Sequence, residues 1–149
     1  MGDLLQPMHL LVLGFFFTFL VLVPKIFYIL TLSNALNKCH PAVRKIDPGM
    51  CWLYLVPIVS VVWHFFMVAA VADSLGAEYY RRGVPLTEPR PAYSIGLACC
   101  VCGACSLLPL INLLAMPAQL VLWILYWSKT AEFSRRLDYP AAIAAYPMQ

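Results

Sequence analysis

Three cysteines, Cys99, Cys102 and Cys105, stand at positions i, i+3 and i+6 and carry the most chemistry of any group in the chain. Their two overlapping C-x-x-C pairs match part of an iron–sulfur ligand run, which takes a fourth thiolate. Cys39 or Cys51 would supply one only by folding back. The same stretch also reads as a surface. Gly96, Ala98, Cys99, Cys100, Cys102, Gly103, Ala104, Cys105 and Ser106 are all small. Gly96 with Cys100, and Cys99 with Gly103, form small-xxx-small pairs that let helices approach closely. A neutral thiol behaves there as a small apolar group, whereas thiolates in lipid would need a metal to neutralise them. We prefer the packing reading, with Gly96, Cys100 and Gly103 in helix contact and no metal at Cys99, Cys102 and Cys105.

His64 is the next candidate, in an apolar run beside Trp63. An ionisable residue inside a membrane is a functional hypothesis by default, here a haem ligand or proton relay. His9 and His40 fall near segment ends, so a bis-histidine haem site within one chain is not expected. The preferred reading is a neutral imidazole hydrogen-bonded to a neighbouring helix. Ser60, Asn112 and Gln119 read as polar glue between helices, or alternatively as a pore lining. No carboxylate lies deep in an apolar run; Asp73, Glu78 and Glu132 fall where helices end. Glycine-rich phosphate loops, H-E-x-x-H and a nucleophile elbow are absent. The chain is therefore expected not to be an enzyme and to carry no cofactor.

The elements that must position these residues are set by hydropathy. Of 149 residues, 62% are hydrophobic and 11% charged, with mean hydropathy +0.79. A soluble domain carries about 25% charged residues, so the missing polar surface must face lipid. The net charge of +3 is too small and too scattered to suggest nucleic acid, and no nucleic-acid partner is expected. Pro91 to Ser128 holds no Asp, Glu, Lys or Arg, and Pro109 and Asn112 interrupt its centre. That pattern predicts a hairpin of two helices, about 93–107 and 113–128. Leu4 to Pro24 is a second charge-free run. It lacks a basic leader and a small-x-small cleavage site, so a retained span is expected rather than a signal peptide. Pro24 should kink it, and Lys25 should reach the interface along its own stem. Pro48 to Ala72 is the third run. It either crosses once, or enters, turns at Pro57 and returns.

The expected architecture is all-α: a polytopic membrane helix bundle in a single domain, 1–149. Four segments are expected, about 8–36, 50–80, 93–107 and 113–137, the second broken or re-entrant at Pro57, with a poorly ordered tail at 138–149. Glu78 faces Arg81 and Arg82 at i+3 and i+4, Gly83 suits a helix C′ position, and Pro85 stops continuation. An internal echo links Pro57-Ile-Val-Ser60 and Glu78-Tyr79-Tyr80-Arg81-Arg82 to Pro109-Leu-Ile-Asn112 and Glu132-Phe133-Ser134-Arg135-Arg136. Trp52, Trp123 and Trp127, with Tyr54, Tyr79, Tyr80 and Tyr126, fall near expected membrane interfaces. The positive-inside rule favours the re-entrant layout, which puts nine basic residues on the cytoplasmic face.

The segments Pro109-Leu-Ile-Asn112, Trp123-Ile-Leu-Tyr-Trp127-Ser-Lys129 and Ser74-Leu-Gly-Ala-Glu-Tyr-Tyr-Arg-Arg-Gly83 resemble small bacterial integral membrane proteins of unknown function. The resemblance spans roughly 26–137 and implies no activity. It implies a multi-pass protein of the bacterial inner membrane, and the distribution of basic residues puts the C-terminus in the cytoplasm. The expected role is a scaffold, an accessory subunit of a larger membrane complex, or a homo-oligomer, with lipid and other membrane subunits as partners. A redox or metal-binding protein using the cysteine cluster, and a small channel or transporter, are the alternatives.

Overall fold

The computed structural model of the chain describes residues 7–138, so the expectation for the tail lies outside the described residues apart from Asp138. Among these residues there are five helices and no strand. Four are α-helices: α1 (Pro7–Lys38), α2 (Pro57–Arg81), α3 (Tyr93–Cys105) and α4 (Pro109–Arg136). The fifth, Pro48–Leu55, is a 3₁₀ helix that leads into α2. α1, α2 and α4 are long and apolar enough to cross a membrane, by length and composition, and α3 is a shorter apolar helix.

Proline sets the starts. Pro57 and Pro109 each sit in the first turn of their helix, where no N–H is needed and the fixed φ suits the helix. This brings the last helix in at Pro109, four residues ahead of the expected 113. It also divides the expected 50–80 segment in two at Val56, whose extended backbone caps both pieces. Pro24 and Pro117 lie inside α1 and α4 without ending them. Asp47 caps the 3₁₀ helix by accepting from the Gly49 N–H at 2.9 Å. Gly83, with φ 68°, takes the left-handed position after α2 that glycine adopts without cost. Ala92 reaches φ 59° before α3, a conformation disfavoured for a residue with a Cβ.

The contacts fix the helix directions. The pairs Thr31–Trp127 and Lys38–Ser134 are both 96 residues apart, so α1 and α4 run parallel. Tyr28–His64 and His40–Glu78 are 36 and 38 apart, so α1 and α2 do too. α3 runs the other way, since Gly96 lies against Tyr126 and Gly103 against Gln119. The 3₁₀ segment also opposes α2, with the Trp63 indole N–H donating to the Met50 carbonyl at 3.0 Å. Two short arms thus run down, each followed by a long helix running up, and α1, α2 and α4 end together.

The core lies toward that common end. It is built from one stripe of α1 (Tyr28, Ile29, Leu32, Ala35, Leu36) and one of α2 (Met67, Val68, Val71, Leu75, Tyr79). Both stripes repeat at three and four residues, the period of a helix face. By contrast, every residue of α1 from Pro7 to Leu22 is exposed.

Candidate functional site

Nine of the ten Lys and Arg residues gather where the three long helices end, leaving only Lys25 apart. A helix end leaves four carbonyls without donors and carries partial negative charge, so cations are favoured there. Arg82 joins all three ends: Nη2 donates to the Lys38 carbonyl at 3.0 Å and Nη1 to the Leu137 carbonyl at 2.7 Å. Lys38 Nζ donates to the Ser134 carbonyl at 3.1 Å and to Asp138 at 2.6 Å. The Tyr79 hydroxyl donates to the Phe133 carbonyl at 2.8 Å, and the two rings meet edge to face. These two residues hold equivalent places in the internal echo, so its copies touch each other.

Glu78 is the hub of this end. Its side chain is fully buried. Oε1 accepts from Arg81 and from Arg82, each at 2.6 Å, and Oε2 accepts from the His40 backbone N–H at 2.9 Å. A buried carboxylate needs such a full complement, because an unpaired charge in the interior costs several kcal/mol. Nearby, Cys39 is buried, and its thiol is pushed up to about 11 by burial first and by the neighbouring Glu78 carboxylate second. Asp73 and Arg90 form a two-point pair at 2.6 and 3.1 Å, with Arg90 stacked 3.7 Å over Tyr93.

Below this end lies an aromatic cluster centred on Tyr28. Its hydroxyl and His64 Nε2 are 2.9 Å apart and share one hydrogen bond, whose donor is set by the imidazole tautomer. The rings of Tyr54, Trp123, Tyr126 and Trp127 surround Tyr28 with centroids 5.3–6.3 Å away. Tilted and edge contacts of this kind suit the ring quadrupoles. The Trp127 indole N–H donates to Thr31 Oγ1 at 2.8 Å. Tyr28 is a residue the sequence reading passed over. It opens the apolar stripe of α1, and that periodicity is the signal that would have found it.

A groove of about 410 Å³ opens under the cluster between α1 and α4. Leu20, Val21, Pro24, Met116, Pro117 and Leu120 form its apolar walls; Lys25, Tyr54, Gln119 and Trp123 supply the polar groups. Lys25 Nζ lies 5.5 Å from the centre of the Tyr54 ring. No acidic side chain pairs with it among the described residues. The Trp123 Nε1 donor is buried without an acceptor. Pro24 and Pro117 each lack the N–H that would bond the carbonyl four residues earlier, at Leu20 and Leu113.

The other sequence candidates fall as follows. Gly96 packs against Val68 and Tyr126, Gly103 packs against Gln119, and Cys100 is buried. Cys99 is buried with its thiol toward the Gln119 carbonyl at 4.0 Å, while Cys102 and Cys105 are half-buried. No group of three or more His, Cys, Asp or Glu stands in metal-holding geometry among the described residues. Ser60 donates to the Pro57 carbonyl of its own helix at 2.8 Å, not across to a neighbour. His64 faces Tyr28, Gln119 faces Gly103, and Asn112 is half-buried near the start of α4. Trp52 is exposed, Trp123 and Trp127 are half-buried in the aromatic cluster, and Tyr54, Tyr79 and Tyr126 belong to the core.

Fold and site together give an all-helical chain, among the described residues, with three helices long and apolar enough to cross a membrane, which suggests a membrane protein. Comparison of the chain with known protein families, curated proteins and solved structures finds no match.

Proposed function

We propose that the chain is a non-enzymatic integral membrane protein that works by association, as a scaffold or accessory subunit of a larger membrane complex or as a homo-oligomer. The observation that carries this reading is the amino-terminal half of α1. Phe15, Phe16 and Phe17 are 72%, 68% and 68% exposed, and three successive helical residues point to three different sides. Gly14 beside them has open space where a Cβ would stand. Every residue from Pro7 to Leu22 is exposed, which leaves this stretch open to pack against a second helix in lipid.

The membrane arrangement that suits this role has one full crossing, by α1. The 3₁₀ arm with α2, and α3 with α4, enter from the basic face and turn back within lipid near Pro57 and residues 106–108. Backbone turning in lipid must have its polar groups satisfied. Around these turns Ser60 N–H bonds the Val56 carbonyl at 2.8 Å, Leu108 N–H the Cys105 carbonyl at 3.0 Å, and Asn112 N–H the Leu108 carbonyl at 2.9 Å. The basic end and the C-terminus then face the cytoplasm, in a bacterium from the inner membrane.

Purification in mild detergent, with mass from light scattering and identification of co-purifying chains, tests the role. A homo-oligomer or a stoichiometric membrane partner is expected. Recovery solely as a 16.7 kDa monomer would count against it.

A further inference from the structure

Lys25 is the basic residue that the common helix end does not absorb. Counted from Pro7 it lies about 27 Å along α1, close to the ~30 Å thickness of a hydrocarbon core. An α1 that starts at one boundary of the bilayer therefore brings Lys25 to the head-group level of the other. There it borders the groove between α1 and α4. The ammonium has three donors and, among the described residues, lies over the face of Tyr54 with no ion pair. Gln119 offers a second donor group from the α4 wall. Lys25 is the one charged group on the groove, and it needs an acceptor carrying negative charge. Below it, Leu20, Val21, Met116 and Leu120 leave an apolar slot. Its volume of about 410 Å³ falls within the ~300–1,000 Å³ of small-ligand pockets.

We propose that this groove is a binding site for an anionic phospholipid of the surrounding bilayer, one acyl chain between α1 and α4 and the phosphate on Lys25. A phosphodiester accepts hydrogen bonds and donates none, which matches the donors present. A lipid with net negative charge is preferred because the ammonium of a zwitterionic head group competes with Lys25 for its own phosphate.

The test uses the full chain in vesicles of equal parts phosphatidylglycerol and phosphatidylcholine. The protein is extracted in mild detergent, loosely held lipid is washed away, and the lipid still bound is counted by native mass spectrometry. One phosphatidylglycerol per chain, in excess over phosphatidylcholine, is expected. Lys25→Gln lowers that excess about fivefold, the usual worth of one cation at an anionic surface. Lys25→Arg keeps it. Val21→Trp fills the slot and removes the bound lipid although Lys25 remains. Equal retention of both lipids by the wild type overturns the proposal without any variant. So does an excess unchanged in Lys25→Gln, or a lipid-free dimer. A lipid-loaded monomer supports this site and speaks only against the association proposed above.

Discussion

Glu78 and Arg82 stand one helical turn apart, the carboxylate fully buried and Arg82 Nε 2.6 Å from its Oε1. An exposed pair at this spacing contributes about 0.3–0.5 kcal/mol. Burial changes the scale, because removing one partner of a buried pair typically costs about 3–5 kcal/mol. Arg82 also closes the ends of α1 and α4 through the Lys38 and Leu137 carbonyls. Arg81 and the His40 N–H stay on Glu78, so Arg82→Ala should lower stability in detergent by about 1–3 kcal/mol, the cost of buried acceptors left without a donor. Arg82→Lys should recover little, since one ammonium does not span three acceptors in a planar fork. Thermal unfolding of the three proteins checks this; a loss under about 0.5 kcal/mol would mean that the pair behaves as an exposed one.

The Tyr28–His64 bond allows a cleaner partition. Tyr28→Phe removes one hydroxyl and leaves His64 Nε2 buried without its partner. A double-mutant cycle with Tyr28→Phe and His64→Leu should return a coupling of about 0.6–1.7 kcal/mol, the range found for side-chain hydrogen bonds inside membrane proteins. Additive effects would show that the bond contributes nothing to the assembly of α1 with α2.

Gly96 and Gly14 make a matched pair for packing. A Cβ at Gly96 would stand 2.5 Å from Val68 Cγ1 and 2.7 Å from Tyr126 Cε2, while one at Gly14 would meet nothing. Gly96→Ala should destabilise by about 1–3 kcal/mol through overpacking. Gly14→Ala should stabilise slightly, by up to about 1 kcal/mol, through helix propensity. If Gly14→Ala instead destabilises or breaks an oligomer, a partner sits on that face of α1.

Cys39 gives a pH dependence. Its thiol is raised from an ordinary 9.0 to about 11, chiefly by burial. The folded state therefore favours the protonated form. That contribution to stability is complete below pH 9 and is lost as pH rises through 11. In a variant keeping only this cysteine, alkylation at pH 7.5 should be far slower than for a free thiol and should climb through pH 11. A fast reaction at neutral pH would mean that the 39–47 loop opens readily.

Helix content and the breaks at Pro57, Gly83 and Pro109 were legible in the sequence, because charge-free runs and proline positions are local signals, although α4 starts at Pro109 itself and not at 113. The common direction of α1, α2 and α4 was not, since it depends on contacts between residues up to 96 apart. Glu78 illustrates the same limit. Its i+3 and i+4 partners were visible, yet its value rests on burial beneath His40 and the end of α1, which spacing does not encode. Lys25 read as a snorkelling residue; only the approach of α4, carrying Gln119 and Trp123, makes it the rim of a groove. Ser60 read as interhelical glue, but its hydroxyl donates to the nearer Pro57 carbonyl within its own turn.

The arrangement of α1 as one full crossing beside two returning hairpins is tested most directly by side-specific labelling of single cysteines in an otherwise cysteine-free chain. Lys45→Cys, Glu88→Cys and Arg136→Cys should all react with a membrane-impermeant maleimide from the same side, and Met8→Cys only from the other. Labelling of Lys45→Cys and Glu88→Cys from opposite sides would contradict it, because α2 would then cross the bilayer rather than return.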